Sequence, residues 1–183
     1  MNKLPNKVKV FIPIIIALVC SSCEAPNKEA KTPLIYISDL YHPYEDLDDH
    51  FDVASIYSND LFDIQAIIID NAKPREHTPG RIPVEQLNYI TGKNPPVYVG
   101  LKEPLLSPSD TGEDQSGYQD GCNAIIHHLN KAKSKVIIIS VGSLRDISAA
   151  YNREPELFEK KLDKLIIFIG EASRKDKIEY NVA

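Results

Sequence analysis

The chain has little cysteine, little glycine and no surplus of positive charge. Three cysteines in 183 residues cannot staple a disulfide scaffold. With 21 basic residues against 26 acidic ones the net charge is −5, which argues against nonspecific nucleic-acid binding, since that needs a basic face to displace counterions. The eight glycines form no Gly-x-Gly-x-x-Gly and no Walker lysine loop, so the common phosphate cradles are missing. A Gly-x-Ser-x-Gly elbow is absent as well. Apart from Cys20 and Cys23 in the N-terminal segment, no pair of His or Cys has zinc-ligand spacing. His127 and His128 are adjacent on a predicted helix and read as surface or partly packed side chains.

A membrane-spanning run is also missing. Val10–Val19 is apolar throughout, but its ten residues would cover about 15 Å as helix, against a bilayer core of about 30 Å. Preceded by Lys3, Lys7 and Lys9 and followed by Ser21, Ser22 and Cys23, it reads as a secretory signal of the lipoprotein type. Residues 1–22 are then the signal peptide and Cys23 the lipidated N-terminus. The polar stretch 23–32, with Pro26 inside it and Pro33 just after it, is a tether, and 33–183 is the folded domain. The expected location is exported and membrane-anchored, in the periplasm or at the cell surface, with membrane contact only through the lipid.

What is present is a globular composition, 43% hydrophobic and 26% charged. Five strand-like runs stand at Leu34–Ser38, Ile64–Ile69, Val97–Val99, Val136–Val141 and Leu165–Ile169. Three are continuously apolar, which implies burial on both faces and a parallel sheet. Helices are predicted between them at Asp49–Ser58, Pro83–Thr91 (with Gly92 as its terminator), Gln119–Ala132, Ser143–Tyr151 and Pro155–Leu162. Strand starts recur every 29–39 residues, the length of a βαβ step. The fold class is therefore α/β, a mostly parallel sheet with flanking helices.

Ligands of such sheets bind outside the carboxyl ends of the strands. Asp39, Asp70-Asn71, Val141-Gly142-Ser143 and Gly170-Glu171 stand there. From Asp39 to Asp52 the chain packs six carboxylates into fourteen residues. Their mutual repulsion would be relieved by a hard divalent cation such as Ca²⁺ or Mg²⁺. An EF-hand does not explain the segment, because its loop needs a glycine at position six. Ser143 reads as a helix cap rather than a nucleophile.

These residues resemble the nucleoside hydrolase family of the inosine–uridine-preferring type. That family opens on a strand and Asp-x-Asp-Pro-Gly-x-Asp-Asp; here Ile37-Ser38-Asp39 ends the strand and Asp48-Asp49 open the helix. Val-Tyr-x-Gly-x-x-x-Pro-Leu is matched by Val97 to Leu105. Gly-Pro-Leu-Thr-Asn-Ile is matched by Gly142-Ser143-Leu144-Arg145-Asp146-Ile147. A Pro-Glu turn with a following apolar strand is matched by Pro155-Glu156 and Ile166 to Gly170. Glu-Phe-Asn is matched by Glu179-Tyr180-Asn181. The resemblance implies an open sheet of the nucleoside hydrolase kind and a Ca²⁺-assisted N-glycosidase acting on a small nucleoside or ribosyl substrate. It implies Asp39 as general base and metal ligand, Asp49 and the Val141 carbonyl as further metal ligands, and Asp48, Asn71, Glu179 and Asn181 as ribose-binding residues.

Two departures stand out. Asp39 and Asp48 lie nine positions apart, so Asp46 is an alternative to either. Arg145 and Asp146 replace Thr-Asn, and are expected to pair with each other or to cap the helix. The family also runs on past Glu-Phe-Asn to a late His-Asp that supplies a metal ligand and the leaving-group acid. This chain stops at Ala183, so its C-terminal part is expected to be missing and its catalysis weak or absent. The alternative is a lipid-anchored, Ca²⁺-dependent sugar- or nucleoside-binding module without catalysis. Assembly with a partner chain or as a homo-oligomer is left open.

Overall fold

The computed structural model describes residues 30–42, 47–71 and 80–169. Cys23, Glu179 and Asn181, and with them the signal, tether and C-terminal expectations, lie outside these residues. Five strands, β1 (Thr32–Ser38), β2 (Phe62–Ile69), β3 (Val97–Val99), β4 (Val136–Ser140) and β5 (Leu162–Ile167), alternate with five helices, α1 (Asp48–Ser58), α2 (Arg81–Thr91), α3 (Asp120–Lys131), α4 (Arg145–Arg153) and α5 (Pro155–Lys161). All strand pairs are parallel and the order is β3-β2-β1-β4-β5. The predicted α/β class with a parallel sheet is the observed one. The predicted helix starts are displaced by a few residues, as end positions usually are.

β1 lies at the centre, paired with β2 on one side and β4 on the other. Its side chains alternate between two cores. Ile35 and Ile37 join Ala66, Ile68 and Ile138 under Ile125 and Leu129 of α3, Ile147 and Ala150 of α4 and Phe158 of α5. Tyr36 faces the other way and joins Ile67 and Ile69 under Val53 and Tyr57 of α1 and Val84 of α2. Helices on both faces explain why β2 and β4 read as unbroken apolar runs. Each such side chain removed from water contributes about 1.5–3 kcal/mol.

β5 departs from expectation. It begins at Leu162, directly after α5, rather than at Leu165. It is an edge strand, and Leu165, Ile166 and Ile167 remain 38–48% exposed. A run as apolar as those of the central strands is therefore not buried on both faces among the described residues, where β5 pairs with β4 alone. Among the described residues no helix is long and apolar enough to cross a membrane.

The long connection from β3 to α3 is held by side chains. Gln115 Oε1 accepts the backbone N–H groups of Lys102 and Glu103 at 3.1 and 2.9 Å. From the end of α4, the Asn152 amide donates to Asp110 O at 2.7 Å and Arg153 Nε to Thr111 O at 2.8 Å.

Candidate functional site

In a doubly wound sheet the binding crevice lies where the chain reverses its direction of travel across the strands. The chain goes from β1 outward to β2 and β3, then returns to the far side of β1 for β4 and β5. The reversal falls between β1 and β4, so the residues leaving those two strands are the first candidates.

Both exits are shaped by a buried serine. Ser38 Oγ accepts the Leu40 N–H at 3.0 Å, and Ser140 Oγ donates to Gly142 O at 3.1 Å. Val141 N–H continues the ladder to Ile37 O at 2.9 Å. Gly142 then passes so close to β1 that a Cβ there would stand 2.7 Å from the Asp39 backbone nitrogen. Two predicted site groups, Asp39 and the Val141 carbonyl, thus leave adjacent strands side by side. Both residues are half-buried.

The acidic start of α1 returns toward the same edge. Asp49 is buried, while Asp48 is exposed and its Oδ1 accepts the Asp49 N–H at 2.9 Å. Carboxylates in the first turn suit the positive end of the helix dipole. Their field reaches β1. Burial first, then Asp49, and more weakly Asp52 and Asp48, push the Tyr36 phenol well above its ordinary value. Burial and Asp48 raise Asp52 as well. Asn71, half-buried, follows β2 at this edge.

The pairing least expected is that of Asp70 with Arg145. Arg145 and Asp146 neither pair with each other nor act as side-chain caps. The Arg145 guanidinium pairs with Asp70, which leaves β2, and both side chains are over nine-tenths buried. Asp70's second oxygen accepts the Ser143 N–H at 3.3 Å. The Ser143 hydroxyl accepts the Arg145 N–H at 3.2 Å in a turn just before α4, whose N-cap position is Leu144 rather than the expected Ser143. Asp146 points elsewhere. Its oxygens accept the Leu101 N–H at 3.1 and 3.2 Å and the Cys122 thiol at 3.4 Å. Pairs so far apart in sequence leave no local signal. Asp70 was marked by its place at a strand end, and Arg145 and Asp146 only as replacements for Thr-Asn.

The donor chemistry fits a hard divalent cation: two carboxylates, Asp39 and Asp49, and a carbonyl, Val141, are all oxygen donors. Among the described residues no three His, Cys, Asp or Glu side chains gather into a metal group. His127 is exposed and His128 is half-buried, with its ring edge-on to Tyr98 at 6.0 Å, consistent with packing rather than ligation.

Solved structures share this fold. An inosine–uridine preferring nucleoside hydrolase from Bacillus anthracis superposes with a TM-score of 0.62 at 15% identity, over 82% of this chain and 57% of that one. The plant nucleoside hydrolase PpNRh1 gives 0.57 at 18%, over 78% and 49%. The type III effector XopQ, complexed with adenosine diphosphate ribose, gives 0.60 at 13%, over 84% and 49%. The chain spans about half the length of these structures. Similarity at this identity shows a shared fold, that of the nucleoside hydrolases. No family model and no curated protein matches the chain.

Proposed function

We propose that the domain is an N-glycosidase of the nucleoside hydrolase kind, acting on an N-ribosyl compound. The observation that supports this most is Asp39 beside the Val141 carbonyl at the reversal point of a nucleoside hydrolase fold. In this reading Asp39 takes a proton from the water that attacks the anomeric carbon. The new C–O bond forms as the C–N bond breaks, and the base leaves with that electron pair. Asp48 and Asn71 bind ribose hydroxyls, joined by Glu179 and Asn181 from beyond the described residues. Asp39, Asp49 and the Val141 carbonyl would hold Ca²⁺. A divalent cation bound there lowers the pKa of a water and orients it.

Ribose release from inosine and from uridine by the full chain, followed with a reducing-sugar assay in the presence of Ca²⁺, tests the reading. Slow release is expected, in line with the weak catalysis read from the sequence, with Asp39→Asn reducing it by about 10²-fold or more. A chain that frees no ribose from either nucleoside overturns it.

A further inference from the structure

We propose that Arg145 is a ligand-binding residue of the carboxyl edge, with its Nε–H donating to an oxygen of the ribosyl ligand. The proposal rests on the N-ribosyl reading and deepens it.

A guanidinium carries five N–H donors and no acceptor. Burial strips water from all of them, so the donors of a buried arginine are normally taken. Arg145 is only 8% exposed, yet its Nε has no hydrogen-bond partner. The rest of the residue is held. Its terminal Nη2 is bound to Asp70. Asp70 is itself held by the Ser143 N–H, and the Arg145 backbone N–H by the Ser143 hydroxyl. The side chain is thus clamped at its base and at its head. The one guanidinium nitrogen that is fully buried without a partner is fixed in place between them.

Its position supplies the acceptor class. Asp70 leaves β2 and Arg145 opens α4 after β4, while β1 runs between those two strands. The ion pair therefore bridges across the exit of β1, where Asp39 stands. A sugar seated at this edge presents hydroxyl and ring oxygens, all of which accept hydrogen bonds. Asp70 explains the charge of Arg145 but not the choice of arginine, since a lysine would also pair with one carboxylate. Lysine has no second donor in a rigid plane with the first.

Two measurements on the full chain test this. The first uses wild-type protein with ¹⁵N-labelled arginine and D-ribose as the probe. The Arg145 Nε–H resonance should shift and its exchange with solvent should slow as ribose is added. The second is calorimetric titration of D-ribose into wild type and Arg145→Lys, with circular-dichroism melts as the folding control. The lysine variant should bind about tenfold more weakly or worse, while an Asp70-paired ammonium keeps it folded. Ribose binding that leaves the Nε–H resonance unmoved overturns the proposal and spares the N-ribosyl reading, whatever the fate of the variant. Wild-type affinity in a folded Arg145→Lys does the same. No ribose binding by wild type overturns both.

Discussion

Asp146 carries the sharpest conflict of any single residue. It is fully sequestered beside the start of α3 and the exit of β3, where Gly100 and Gly121 press so closely that a Cβ on either would run into its carboxylate. Burial pushes its pKa up to about 6, against the hydrogen bonds from Leu101 and Cys122 and with a further push from Asp70. The native pKa thus exceeds the unfolded value of about 3.9. Between pH 4 and 6 the native state binds more protons than the unfolded chain, so this group's contribution to stability falls as pH rises. Two units correspond to about 3 kcal/mol, fully lost above pH 6. Asp146→Asn removes the titration while keeping an acceptor for Leu101. Urea melts of wild type and variant should therefore converge near pH 4 and diverge by pH 7 in the variant's favour; parallel curves across that window sink the idea. The sequence placed Asp146 near the edge by its position after Gly142. It could not reveal that the partner is Leu101, 45 residues away, because a tertiary hydrogen bond has no local pattern.

Strands and helices were legible where their signal is local. Gly92, foreseen as the terminator of α2, adopts φ 69° and returns its N–H to Asn88 O at 2.9 Å. The continuous apolar runs revealed a parallel sheet because each strand of such a sheet meets helices on both faces. The same signal overstated the burial of β5, since hydrophobicity says that a segment is a strand and not where it sits in the order. That order is set by crossovers between distant segments. The energetic difference is measurable. Ile138 in β4 is 0% exposed, whereas Ile166 in β5 is 48% exposed. Ile138→Ala should cost about 2–5 kcal/mol through lost burial and an unfilled cavity. Ile166→Ala should cost under about 1 kcal/mol, since half its surface already meets water. Denaturant midpoints of the two variants measured side by side decide it, and equal losses would mean that β5 is covered in solution.

For the whole molecule, topology converts scattered residues into one edge. Asp39, Asp49, Asp70, Asn71 and Val141 belong to segments far apart in sequence, and the reversal between β1 and β4 brings their elements to the same end of the sheet. That much followed from strand ends alone, whereas the bridge from Asp70 to Arg145 needed the strand order. The gathering has a cost, because a chain of net charge −5 concentrates carboxylates near one another and like charges destabilise the compact state. Two remedies predict different salt responses. Screening by monovalent salt acts on every exposed charge over a Debye length of about 8 Å. A divalent cation seated on Asp39, Asp49 and Val141 acts by mass action on the native state alone, adding about 2.7 kcal/mol at a hundredfold excess over its dissociation constant. For the unit Lys31–Ala183 that corresponds to a rise in Tm of roughly 5–10 °C. Thermal melts in millimolar CaCl₂ should therefore exceed those in NaCl of equal ionic strength by this amount, and chelation should reverse the gain. Asp49→Asn should abolish the calcium-specific part while leaving the response to NaCl intact. Equal shifts in the two salts would leave only general screening and remove the cation from the proposed site.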